Sequence, residues 1–207
     1  MSKKTLLTIV VCLVCGNLFA QDGETQHHDI NFAVGAAVPT GSDTSYLQKA
    51  PMILLAYGYR FNRLFEAEGG FQMAFGAANN QNAEESEFGA VLGADHEYMI
   101  PFTARLIVPL PLERWQVSAG AGPVYLHYAE TASSGATYCF TCTSRGGWGL
   151  QGSTRVRYVL GQDKNFHIGT ILQYVSGSLN GDAVGNIPAA KTTDHWANVL
   201  IEVGASF

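Results

Sequence analysis

The chain is 207 residues long, carries a formal net charge of -5 and has 14% charged residues. That length suits one domain, and the lack of any basic cluster excludes nucleic acid as a partner. Past the amino terminus, no run approaches the ~20 apolar residues of a helical membrane span. The mean hydropathy of +0.06 leaves strand-based spanning open, because such strands alternate apolar and polar residues and average to near zero.

Lys3 and Lys4, the apolar run from Leu6 to Val14 and the small Ala20 make residues 1–20 a secretory signal. Cys12 and Cys15 raise a lipoprotein signal as a rival, but Val11 and Val14 stand where such a signal needs a small residue. Residues 21–28 read as a flexible leader in which His27-His28 is solvated, and residues 29–207 read as one barrel domain.

Eight segments then alternate with the period of two expected of strands. Ile30, Phe32, Val34, Ala36 and Val38 share the apolar face of the first. Ile53, Leu55, Tyr57, Tyr59 and Phe61 share that of the second. A tight Asn62-Arg63 turn leads into Phe65, Ala67, Gly69, Phe71, Met73 and Phe75, with Glu66, Glu68 and Gln72 opposite. After a polar stretch from Gly76 to Asp95, Tyr98 to Val108 forms the fourth and ends at Pro109. The fifth begins Trp115, Val117, Ala119, Ala121, and its apolar phase passes to Val124, Leu126 and Tyr128, which predicts a β-bulge near Gly120–Pro123.

A loop is predicted from Glu130 to Arg145, then a sixth strand over Trp148–Leu160 with Arg155 and Arg157 on its polar face. Phe166–Tyr174 forms the seventh, with His167 on the polar side. A last loop is predicted from Ser176 to Thr193. The closing strand presents Ala197, Val199, Ile201, Val203, Ala205 and Phe207 against Asn198, Leu200, Glu202, Gly204 and Ser206. Long and short connections alternate strictly. The predicted fold is therefore all-β: an eight-stranded antiparallel up-and-down transmembrane β-barrel.

A soluble barrel would turn its apolar face inward. Here the other face is rich in small residues and almost free of lysine, which suits a crowded lumen. Counted from the short-turn end, Arg60, Glu66, Glu68, Arg105, Arg155, Arg157 and Glu202 fall at similar depth, which predicts a lumen layer of compensating ion pairs. Aromatics gather at both strand ends, as in the belts of a lipid-spanning protein. Cys139 and Cys142 form a Cys-x-x-Cys pair compatible with a redox site, half a zinc site or a local disulfide; export and the lack of neighbouring ligands favour the disulfide.

In these features the chain resembles the small outer-membrane β-barrels of the OmpA-transmembrane and OmpX type, and Val203-Gly204-Ala205-Ser206-Phe207 looks like the terminal signal read by the outer-membrane assembly machinery. The resemblance implies a monomer in a Gram-negative-type outer membrane, after signal removal, with no cofactor. It implies contact with outer-membrane lipid and lipopolysaccharide, delivery by periplasmic chaperones and an extracellular ligand met by the loops. Val203, Ala205 and Phe207 would carry the assembly signal. It also implies a non-enzymatic binding, adhesion or envelope-structural role, with a narrow OmpW-like channel for small or hydrophobic solutes as the alternative. Lipid A deacylases of the PagL type place a His-x-Ser pair on a lipid-facing strand. Gln173–Asn180 offers Ser176 and Ser178 without an adjacent His, so neither a catalytic nor a metal site is predicted.

Overall fold

The computed structural model describes residues 26–40, 47–77, 85–86, 89–90, 92–108, 110–134, 137–181 and 190–207; the side chains of 85–95, 130–143 and 190 fall outside that description. Eight strands close a barrel: β1 (His28–Pro39), β2 (Ala50–Arg60), β3 (Phe65–Phe75), β6 (Leu92–Val108), β7 (Trp115–Ser134), β8 (Thr137–Leu160), β9 (Phe166–Gly181) and β10 (Ala190–Ser206). A small hairpin of β4 (Glu85–Ser86) and β5 (Gly89–Ala90) decorates the connection from β3 to β6. Every barrel strand pairs antiparallel with its chain neighbour, and β10 returns to β1.

The register sets the barrel's shape. Stepping across the ladders from His28 leads through Tyr59, Ala67, Ala104, Ala121, Gly152, Tyr174 and Ala197 to Val38. One circuit therefore climbs ten residues along β1. A climb of ~33 Å over a circumference of ~38 Å tilts the strands by roughly 40°. Such a barrel is narrow enough for side chains to fill.

The short turns lie together at one end. Asn62 Oδ1 accepts hydrogen bonds from the amides of Leu64 and Phe65, at 2.8 and 2.9 Å, and so closes the turn after β2. At the same end His28 and Phe207 exchange two backbone hydrogen bonds of 2.8 and 2.9 Å, which complete the seam between the first and last strands.

Three sequence expectations change. First, the register does not slip through Gly120–Pro123: the offset that joins Ala104 to Ala121 also joins Pro101 to Val124, and β8 pairs with each residue from Gly120 to Val124. Val124, Leu126 and Tyr128 point into the lumen, buried, while Pro123 and Ala121 stay outside. The apolar phase changes because the lumen itself turns apolar at that height, and the pairing never slips. The irregularity lies higher, between Glu130 and Ala132.

Second, much of the predicted loops is paired strand. Ser134 faces Thr137, and Asn180 faces Lys191. Beyond the apolar band both faces of a hairpin meet water, so the ladder continues where the alternation fades. Third, the segment before Asp29 is docked. Arg60 donates its amide to His27 O at 2.7 Å, His27 Nδ1 meets Arg60 O at 2.8 Å, and Gln26 Nε2 bonds Asn165 Oδ1. His28 already belongs to β1. Residues 1–25, the expected signal and most of the leader, lie outside the described residues.

Candidate functional site: lumen and girdles

The barrel is apolar outside and polar at one level within. Phe32, Leu150 and Ile201 are 47%, 71% and 60% exposed. Burying such side chains in hydrocarbon is what drives a barrel into a bilayer.

Near the short-turn end the lumen is filled by ion pairs. Arg155 reaches Glu68 at 2.7 Å and Glu202 at 3.1 Å, and lies 3.8 Å from Glu66. Arg105 reaches Glu68 at 2.8 Å and lies 3.7 Å from Glu66. Arg60 closes on Glu66 at 3.6 Å. Arg157 binds Glu202 at 2.7 Å and also Asp29 at 2.7 Å. The structure thus brings together all seven charged residues named from sequence and adds Asp29. Four guanidinium groups then face four carboxylates, so burial strands no charge.

Asn31, His167 and Ser206 join this layer as well. Asn31 Oδ1 accepts from Arg157 Nη2 at 2.8 Å and meets His167 Nε2 at 2.8 Å, while Ser206 Oγ donates to Asp29 at 3.1 Å. Asp29 lies one residue before the predicted first strand, which starts at Ile30. Its shared parity with Asn31 and Ala33 was the available signal.

Two glycines make room for the network. Arg157 pairs in register with Gly169, which pairs with Glu202. A side chain at Gly169 would stand 2.9 Å from Glu202 Oε1 and 3.0 Å from Arg157 Cγ. Asn31, Gly204 and His167 repeat the arrangement, with Asn31 and His167 meeting where a Gly204 Cβ would sit. A missing side chain in the middle strand lets polar groups two strands apart bond directly.

Farther along, the lumen carries an amide layer. Gln72 and Asn198 donate to Gln173 Oε1 at 3.0 and 2.9 Å, Gln173 bonds Gln151, and Gln151 donates to Thr103 at 2.7 Å. Above it lies a packed apolar layer of Met52, Met99, Val124, Leu126, Val175 and Trp196, all buried.

Aromatic rings form two girdles outside. At the short-turn end His28 stacks on Phe207 at 5.4 Å, His27 on Tyr59 at 5.9 Å, and Trp115 meets Tyr158 at 5.2 Å. At the other end Tyr98 contacts His96 and His127, Tyr125 contacts Trp148, and Tyr174 stacks on His195. Tyr128, predicted on the apolar face of the fifth strand, lies inside under the guanidinium of Arg145, 4.6 Å from its ring centre.

Other candidate residues are placed as follows. Val203 and Phe207 are exposed on the apolar exterior, and Ala205 shares their face. Cys139 and Cys142 flank the β8 side of the ladder irregularity, where Glu130 pairs with Thr143 and Ala132 with Cys139; their side chains lie outside the described ones. His195 sits opposite Ser176 in register, yet its Nδ1 meets the Tyr174 hydroxyl at 3.3 Å. Among the described residues no group of three His, Cys, Asp or Glu is placed to hold a metal ion.

An apolar exterior with two aromatic girdles, wrapped around an ion-paired lumen, defines the integral outer-membrane β-barrels. The chain is an eight-stranded barrel of this class, resident in the outer membrane, with its short turns and Phe207 at one end and its long connections at the other. Among solved structures it is similar to Neisserial surface protein A, with TM-score 0.56 and 15% identity over 90% of this chain and 100% of that one. It is also similar to AlkL, solved in DMPC bilayers, with TM-score 0.52 and 12% identity over 90% of this chain and 93% of that one. OprG from Pseudomonas aeruginosa gives TM-score 0.51 and 13% identity over 88% of this chain and 97% of that one. At these identities the likeness is one of fold. No protein-family model and no curated protein matches the chain.

Proposed function

We propose that the protein is a non-enzymatic outer-membrane barrel that works through its outer surface, its extended hairpins meeting an extracellular ligand or supporting the envelope. The observation that carries this reading is the filled lumen. Ion pairs, an amide layer and an apolar layer follow one another along it, and the described residues leave solutes no aqueous path between them. What reaches beyond the apolar band is paired backbone, as in the β7–β8 hairpin that turns after Ser134. Such a hairpin presents an ordered surface outside a sealed body. The same observation disfavours the narrow-channel alternative.

The partners that fit this reading are outer-membrane lipid and lipopolysaccharide around the girdles, and the assembly machinery with its periplasmic chaperones during insertion. The test replaces residues 131–144 with a two-residue turn. The variant should keep heat-modifiable migration, the mark of a folded barrel, and lose adhesion of the expressing cells to host-cell or matrix surfaces. Unchanged adhesion together with an unchanged envelope-permeability phenotype would contradict the reading.

A further inference from the structure

A groove of about 540 Å³ opens on the outside of the barrel across β8, β9 and β10. Gly152 and Ala197 form its floor, and Thr154, Leu172, Tyr174 and Val199 stand around them. A side chain built at Gly152 meets nothing within 4 Å, so the recess is the space that this glycine leaves open. Gly152, Tyr174 and Ala197 occupy one row of the ladder, and Leu172, Tyr174 and Val199 are half exposed beside it. A recess lined with carbon forfeits dispersion contacts until something fills it. Within the apolar band, the filler is a hydrocarbon chain or another protein.

The groups above the groove select between them. One step toward the long connections, Ser176 and His195 pair in register on the same outward face. The Tyr174 hydroxyl lies 3.3 Å from His195 Nδ1; with the hydroxyl donating there, the ring keeps its proton on Nε2 and is a donor. Lys191 stands exposed on the same face of β10, ~13 Å from His195 by strand rise. The outward residues beside them are Ser178, Asn180 and Thr193. Donors and a cation therefore cap the groove, and no carboxylate shares this outward face among the described residues of β8, β9 and β10.

We propose that this face holds one lipopolysaccharide molecule, with an acyl chain in the groove and the phosphates of the sugar head met by His195 and Lys191. The chain alone would not be selected, because bilayer hydrocarbon is as apolar as the groove. The anionic head supplies the selection, through charge-assisted hydrogen bonds to phosphate at the girdle. The site rests on the outward orientation of the long connections taken with the function above, since this lipid fills the outer leaflet. It goes beyond general lipid contact in fixing a single, slowly exchanging molecule at one place on the wall.

Quantifying the lipopolysaccharide that stays with the full barrel after mild detergent extraction and washing tests it. The wild type should retain a stoichiometric amount. Gly152→Leu fills the groove and should lower retention about tenfold, as should His195→Ala combined with Lys191→Ala. Ala67→Leu adds the same bulk to the exposed face of β3, on the far side of the barrel, and should change nothing. A folded wild-type barrel without bound lipid overturns the proposal whether or not the variants fold. So does retention unchanged in folded Gly152→Leu, or phospholipid retained in place of lipopolysaccharide. Ready disulfide linkage of two Gly152→Cys barrels under mild oxidation also overturns it, by making the groove an interface between copies. An epitope inserted after Ser134 and probed on intact cells checks the orientation separately. Detection without bound lipid refutes this site alone, whereas an undetected epitope refutes the orientation on which the function above also depends.

Discussion

Arg157 and Glu202 bond at 2.7 Å across a strand to which neither belongs. β9 runs between them, and Gly169 is the residue over which they meet. An exposed ion pair contributes little to stability, whereas a buried one whose partners are complete becomes costly to break. The lumen is built in the second way.

The first prediction concerns that crossing point. Gly169→Ala adds a methyl group within 3.0 Å of both partners and 2.5 Å from Val156 O. Part of the clash is with backbone, which cannot swing aside, so a loss of about 1–3 kcal/mol is expected. Urea unfolding in detergent micelles, followed by the mobility shift between folded and unfolded forms, measures it. Gly152→Ala is the control, since a methyl there meets nothing within 4 Å.

Arg155 contacts Glu66, Glu68 and Glu202. Arg155→Met should cost about 3–5 kcal/mol, because it leaves a buried carboxylate uncompensated. Removing both charges of one pair, as in Arg157→Met with Glu202→Gln, should cost less than the two single changes added together. A double-mutant cycle on the same unfolding assay checks the sign of that coupling.

Phe207 packs its ring on His28 while its backbone closes the seam to β1. Phe207→Ala should slow insertion and leave more unfolded protein in the periplasm, with a smaller effect on the equilibrium stability of molecules that do fold. Pulse-chase labelling with a heat-modifiability readout separates the two effects. Equal loss in both would assign Phe207 a structural role alone.

The register of His195 opposite Ser176 invites a comparison with lipid-acyl hydrolysis. His195 Nδ1 meets Tyr174, and Asp194, its chain neighbour, points into the lumen, so a nucleophile-base-acid relay is incomplete. Ser176→Ala and His195→Ala should leave the lipid A mass spectrum of expressing cells unchanged. A deacylated species that disappears in either variant would reverse that reading.

How much of this was legible beforehand follows from where the alternation was clean. The predicted and observed bounds of β3 coincide at Phe65 and Phe75, because both of its ends carry aromatics at the girdles and its polar face holds Glu66, Glu68 and Gln72. The upper half of β7 misled, since Val124, Leu126 and Tyr128 look identical whether they face lipid or an apolar lumen. Only the register, fixed by partners on two neighbouring strands, decides between those faces. Glu97 lies between the polar stretch that ends at Asp95 and the strand predicted from Tyr98, and Asp194 stands just past the loop that ends at Thr193; only the ladder places both inside the barrel. The paired glycines were invisible too, because their role depends on residues two strands away.

Planar-bilayer recording of the folded barrel measures whether the lumen is sealed. No discrete conductance steps are expected from the wild-type protein at neutral pH, whereas steps are expected from a variant in which Arg155→Ala and Glu202→Ala together thin the ion-pair layer while the barrel remains heat-modifiable. Stable, ion-selective steps from the wild-type barrel would contradict it.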